Sequence, residues 1–158
     1  MNRHSPILLA TDGSPSGGEA QRQAFELAKL SGAPLLVVSV SHATLPAVGY
    51  SAYGYSEVVT ELTHLEHKRL DALRADVAEA AAKEGIDCTT VRADGVIVEE
   101  ISRIAAEHHA QLVVVGSHGW GAARRFLSGS VSTGLVHSAP CPVLVVRGTN
   151  GAEQLVAA

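Results

Sequence analysis

The sequence predicts a single-domain α/β fold: an open five-stranded parallel sheet with helices on both faces. Three observations carry that expectation. Short aliphatic runs alternate five times with stretches of helical periodicity, the pattern of strand–helix–strand units joined by right-handed crossovers. Apolar residues make up 46% of the chain but aromatic ones only 4%. The core is therefore Val, Leu, Ile and Ala, the composition of strands buried on both faces. A length of 158 residues suits one domain that hides roughly 70% of the surface its unfolded chain exposes.

The elements follow in order. Ile7-Leu-Leu-Ala-Thr11 is the first strand, and Pro15 to Leu30 the first helix, with Ala20, Ala24, Leu27 and Ala28 at helical spacing. Pro34 to Val40 is the second strand. Residues 42–56 hold all three tyrosines without clear periodicity and read as a long flexible connection, either a mobile linker or a lid or partner surface. A long amphipathic helix, Glu57 to Glu84, carries Val58, Leu62, Leu65, Leu73 and Val77 on one face, and Gly85 closes it. Thr89 to Ala93 is a weaker strand, followed by a helix from Val98 to His109, whose histidine pair opposes the helix dipole. Leu112 to Val115, a helix ending near Ser138, and Val143 to Val146 complete the chain. One domain over 1–158 is expected, with an ordered core of about 5–148 and a tail at 149–158.

Composition excludes several classes. A net charge of −4 gives no electrostatic footprint for nucleic acid. Cys88 and Cys141 have no metal-ligand spacing and read as small buried thiols in a reducing compartment. Ile7 to Ala10 is too short for a signal-peptide core, and no apolar run approaches ~18 residues. No membrane association and a cytoplasmic location are expected. His64 and His67 share a helix face as a metal pair would, but nothing marks a third ligand, and solvent exposure is expected.

The chemistry concentrates in Gly116 to Ser132, GSHGWGAARRFLSGSVS, directly after the fourth strand. In open parallel sheets ligands bind beyond the carboxyl ends of the strands, at the topological switch point. If strands one and four are neighbours, this loop and Thr11-Asp12-Gly13-Ser14 face one crevice. Three familiar phosphate motifs fail on spacing. Gly116 and Gly121 have Walker A separation but lead to Ala122-Ala123 instead of Lys and Ser or Thr. Gly119-Trp-Gly121 lacks the third glycine of a dinucleotide fingerprint. Ser16-Gly17-Gly18 continues to Glu19-Ala20-Gln21, without the Asp-Ser pair of a pyrophosphatase loop, and falls inside the expected first helix.

What remains is Gly116-x-x-Gly119, nine residues, then Gly129-Ser130. Glycines at 116 and 119 allow positive φ and bring backbone amides close to an anion. Gly129-Ser130-Val131-Ser132 opens a helix whose first amides have no intrahelical partner, and whose end carries roughly +0.5 charge. Ser130 and Ser132 add hydroxyls, or else serve as simple N-caps.

This spacing resembles the nucleotide-binding motif of the universal stress protein family, G-x-x-G, nine residues, G-[ST]. ILLATDGS, Gly95 with Glu99-Glu100-Ile101, LVVVGSHG, and SGSVS through HSAPCPVLVVR fall where that family has similar segments. The resemblance implies a Rossmann-like adenine-nucleotide-binding fold with strand order 3-2-1-4-5. It also implies a site built from Ala10, Thr11, Asp12, Val40, Gly116, Ser117, His118, Gly119, Gly129, Ser130, Val131 and Ser132. Asp12 would lie near the ribose or a phosphate-bound Mg²⁺, and Val40 against adenine. Read by itself, Asp12 is equally a cap for the first helix. His118 either donates to phosphate or occupies an exposed turn. Arg124 and Arg125 either touch charge or form a solvated face.

The expected function is a regulatory, stress-response module that binds ATP, with AMP, ADP or a cyclic nucleotide not separable by sequence. Its occupancy would alter its own assembly or contact with an unknown protein partner. No catalytic residues are assigned. A slow Mg-dependent ATP hydrolase or adenylyl transferase using Asp12, and a nucleotide-indifferent dimeric scaffold, stand as alternatives. A homodimer is expected through Val143–Val146, an apolar edge with no protecting lysine.

Overall fold

Ile7 to Ala10 offers four apolar residues with no polar alternation, which demands cover on both sides of a strand. All four are buried, three of them completely. This is β1 (Ile7–Ala10), the centre of the molecule. The computed structural model describes residues 4–41, 55–117 and 130–148. After β1 come α1 (Pro15–Ser31), β2 (Leu35–Ser41), α2 (Tyr55–Lys83), β3 (Cys88–Asp94), α3 (Ile97–Glu107), β4 (Leu112–Gly116), α4 (Ser130–Ser138) and β5 (Val143–Val146). The strands form one five-stranded parallel sheet in the order β3-β2-β1-β4-β5, as the resemblance implied.

Alternate residues of the inner strands feed two cores. Ile7, Leu9, Leu35, Val37 and Val114 pack with Ala20, Ala24, Phe25 and Ala28 of α1 and with Val77 and Ala81 of α2. Leu8, Ala10, Leu36, Val38, Val113 and Val115 pack with Ile101, Ile104 and Ala105 of α3 and Leu135 of α4. β3 is an edge strand, and only Ala93 of its seven residues is buried. That explains why CTTVRAD gives a weaker strand signal than the central runs.

α2 departs from the expected pattern at the N-terminal end of its apolar stripe. The helix begins at Tyr55, so residues 55 and 56, assigned to the connection, belong to it; residues 42–54 lie outside the described part. Leu62 and Leu65, expected on the core face, are 61% and 53% exposed. The buried face is Leu70, Arg74, Val77 and Ala81. Length accounts for the difference: 29 helical residues span about 43 Å, whereas the seven-residue β2 covers about 23 Å. The first turns of α2 therefore run past the sheet. The last turns are pinned to it, with the buried Arg74 donating to the Ser39 hydroxyl and to Asp71.

Substitutions in α2 separate the two readings of its stripe. Leu70→Ala is expected to lower unfolding free energy by about 2–5 kcal/mol through cavity formation. Leu65→Ala is expected to stay within about 0.5 kcal/mol of wild type. Urea denaturation of both variants measures the contrast, and equal losses would contradict it.

Candidate functional site

The order of the sheet places a switch point between β1 and β4: the chain leaves β1 toward β2 on one side, while β4 lies on the other. The segments leaving these two strands diverge and open a crevice. On the β1 side, Thr11 N–H still donates to Val38 O at 3.1 Å, extending the strand pairing by one residue. The chain then turns sharply. Gly13 adopts φ +77°, its N–H reaches Thr11 Oγ1 at 3.3 Å, and Asp12 Oδ1 accepts from Ser14 N–H at 2.9 Å. Ser14, not Asp12, caps α1: its Oγ accepts from Gly17 N–H at 3.2 Å, and Pro15 supplies a preset φ in the first turn.

Gly17 faces the crevice from the first turn of α1. A Cβ there would stand 3.1 Å from Thr11 Oγ1, 3.2 Å from Ser14 Oγ and 3.3 Å from Asp12 Oδ1, so three side-chain oxygens converge on this bare backbone. Ser16-Gly17-Gly18 lies inside α1, as expected, and in its first turn, where Gly17 borders the crevice. On the β4 side, Gly116 ends its strand opposite Val146. A Cβ on Gly116 would lie 2.7 Å from Ser16 Oγ and 2.8 Å from the Ser16 carbonyl carbon. Its φ is not positive; the glycines with positive φ among the described residues are 13, 32, 85 and 95. The expectation of a left-handed Gly116 is thus corrected: glycine is needed so that β4 can touch the first turn of α1.

Between these segments lies a cavity of about 110 Å³. Its inner wall is aliphatic: Ala10, Val38 and Val40 from the sheet, Val115 from β4, Ile97 and Ile101 from α3, and Val131 from α4. Its polar rim is Thr11, Asp12, Ser14, Gly17 and Gly116. Of the residues expected from sequence, Ala10, Thr11, Asp12, Val40, Gly116 and Val131 meet here. Ser117 follows β4 and spends its N–H on Val146 O at 2.7 Å. Ser130 opens α4, and Ser132 is buried in its first turn. His118, Gly119 and Gly129, with Arg124 and Arg125, lie outside the described residues.

Gly17, Val38, Ile97, Ile101 and Val115 were not anticipated, and Ser14 was placed at the crevice only as part of the Thr11–Ser14 loop. Ser-Pro before an apolar-periodic stretch is a capping signature that would have found Ser14. Ile97 and Ile101 come from α3, which follows Gly95 at φ +147°, a glycine whose N–H donates to Ser41 O at 3.0 Å. Their i, i+4 spacing is that of any core-facing pair, so sequence alone does not distinguish them.

The helix starts at this end of the sheet differ in charge. α1 and α4 both begin here without an acidic residue in the first turn, whereas α3 carries Glu99 and Glu100 in its own. Unneutralised helix starts attract negative charge. Elsewhere the histidines and thiols have other surroundings. His67, expected to be solvated, is half-buried with Nε2 2.8 Å from Asp94 Oδ1. Cys88 and Cys141 are half-buried rather than fully buried; desolvation pushes both thiols up, helped at Cys88 by the charge of Asp87 and opposed at Cys141 by the Val113 backbone. Among the described residues no three His, Cys, Asp or Glu side chains group to hold a metal, and no helix is long and apolar enough to cross a membrane.

With that geometry, comparison with known proteins is direct. The chain belongs to the universal stress protein family, whose sequence profile matches residues 4–147. It is 34% identical over 146 residues to a universal stress protein of Methanocaldococcus jannaschii, covering 92% of this chain and 84% of that one. Its fold matches universal stress protein UspA from Lactobacillus plantarum with a TM-score of 0.80 at 24% identity, covering 93% of this chain and 100% of the other. A universal stress protein in complex with cAMP matches at TM-score 0.68 and 24% identity, over 94% and 100% of the two chains. An Arabidopsis thaliana family member with AMP bound matches at 0.69 and 18%, over 95% and 94%.

The contact between Gly116 and Ser16 is testable. Gly116→Ala forces a methyl into the backbone of α1 and is expected to cost about 1–3 kcal/mol. A melting temperature equal to wild type would show that the two segments separate freely.

Proposed function

We propose that this chain is an adenine-nucleotide-binding regulatory module, with ATP as the expected occupant and its loading coupled to assembly or to a protein partner. One observation carries the reading: two acid-free helix starts and the Thr11–Ser14 turn converge over an aliphatic cavity. A volume of about 110 Å³ is well below the roughly 300–1,000 Å³ that encloses a drug-sized ligand. It suits one planar, largely apolar end of a ligand, with polar and anionic groups left at the rim. Val40, Val38, Ile97 and Ile101 would flank the base. Thr11, Asp12 and Ser14 would meet the ribose, and the amides opening α4 the phosphates. The family members solved with cAMP and with AMP support the same class of ligand.

Mg²⁺ is held by one or two carboxylates together with phosphate oxygens and water. Asp12 is the carboxylate on this rim and fits that donor set with a nucleotide present. The metal would neutralise phosphate charge. Asp12 is also the ground for a hydrolytic reading, in which the same residue serves slow turnover.

Titration with ATP, ADP, AMP and cAMP, each with and without Mg²⁺, tests the proposal. Gly17→Val is expected to weaken binding at least tenfold, ~1.4 kcal/mol, because its side chain enters the oxygen cluster at the rim. A wild-type protein that binds none of the four refutes the reading. Sustained phosphate release that vanishes in Asp12→Ala would replace it with the hydrolase.

Assembly is proposed to be a two-fold dimer through β5. This strand closes the sheet on its β4 side, and Val145 is 37% exposed there. Val145→Lys is expected to shift a dimer toward monomer in sedimentation at micromolar concentration. A wild-type monomer under those conditions would dismiss the interface.

A further inference from the structure

Arg69 is used differently from Arg22, Arg74, Arg92 and Arg103, each of which meets a carboxylate. From α2, on the face of the sheet opposite the cavity wall, Arg69 Nη1 donates to the main-chain oxygen of Asp12 at 2.8 Å, across 57 residues of sequence. The next turn of α2 supports the same loop: Leu73 lies against Gly13, 3.4 Å from where a Cβ would stand. A guanidinium donating to a carbonyl is a charge-assisted bond. Asp12 C=O and Gly13 N–H belong to one planar trans peptide and point in opposite directions. Arg69 holds the first, and Thr11 Oγ1 accepts from the second at 3.3 Å. One peptide unit is thus gripped at both ends, and the two side chains it orients, Thr11 and Asp12, form the rim of the cavity.

We propose that Arg69 is a positioning residue of the nucleotide site, which locks the Asp12–Gly13 peptide from behind the sheet and so aims the Thr11 hydroxyl and the Asp12 carboxylate into the crevice. The inference rests on the nucleotide reading above. Arg69 acts through Asp12 and Gly13, without touching the ligand. Any cation able to reach the carbonyl serves the role, which separates it from a guanidinium that recognises phosphate directly.

The test is calorimetric titration of the full chain with ATP and Mg²⁺ for wild type, Arg69→Ala and Arg69→Lys, together with hydrogen exchange of the Gly13 amide in the nucleotide-free proteins. Arg69 is exposed, so both variants are expected to fold. Arg69→Ala is expected to weaken binding about tenfold, the low end for one charge-assisted bond. Its Gly13 amide is expected to exchange faster, and Arg69→Lys to recover most of both. Unchanged affinity in Arg69→Ala overturns the proposal. So does a loss that lysine fails to repair, or one that follows a lowered melting temperature with Gly13 exchange unaltered. A wild-type protein that binds no adenine nucleotide removes the site itself, whereas binding that is indifferent to Arg69 removes only the positioning role.

Discussion

Where β4 ends, it packs so closely on the first turn of α1 that no side chain fits at Gly116. A methyl group at that point would press on the Ser16 hydroxyl and carbonyl together. The approach draws in the neighbouring chain: Ser117 N–H bonds to Val146 O, and Gly148 lies beside Ser16. The ends of β4 and β5 and the start of α1 thus meet in one dense knot. Gly116, at its centre, is also part of the cavity rim. Close packing here also explains why the cavity is walled by small aliphatic side chains: the strands are spaced by hydrogen bonds, and only branched residues of modest size fit between them and the helices.

A second layer of control comes from α2. It reaches the carboxyl ends of three strands with three different side chains. Arg69 bonds to the turn after β1, Arg74 to Ser39 in β2, and His67 to Asp94 at the end of β3. One helix therefore ties together the ends of β1 and β2, which contribute to the cavity wall, and that of the edge strand β3. Much of this is polar and partly exposed, and exposed ion pairs contribute little stability. Geometry is what these contacts supply.

The sheet was legible in the sequence because β1, β4 and β5 carry unbroken aliphatic runs and β2 carries Leu35 to Val38, the runs of the central strands being those covered on both faces. β3 was faint for the opposite reason, since an edge strand such as Cys88–Asp94 alternates and carries Arg92 and Asp94 outward. Half of α2 was misread because Leu62 and Leu65 keep helical spacing where no sheet remains beneath them. Thr11 and Asp12 were placed at the crevice by strand-end topology and by the family resemblance, and Gly116 by its glycine spacing. The purpose of Gly116 was not legible, because it depends on Ser16, a contact made only by folding. Ile97 and Ile101 were invisible as lining residues, since an apolar pair on a helix looks the same whether it meets a core or an opening.

The two borders of the sheet are unlike in character. β3 presents threonines and a charged pair, Arg92 and Asp94, linked onward to Asp71 and His67. β5 presents valines and leucine only. A border bristling with ions rejects a neighbouring strand, so this sheet has a single adhesive margin. Self-complementary pairing of that margin would consume it entirely. In such a dimer, growth by successive addition would have no second apolar margin on which to proceed.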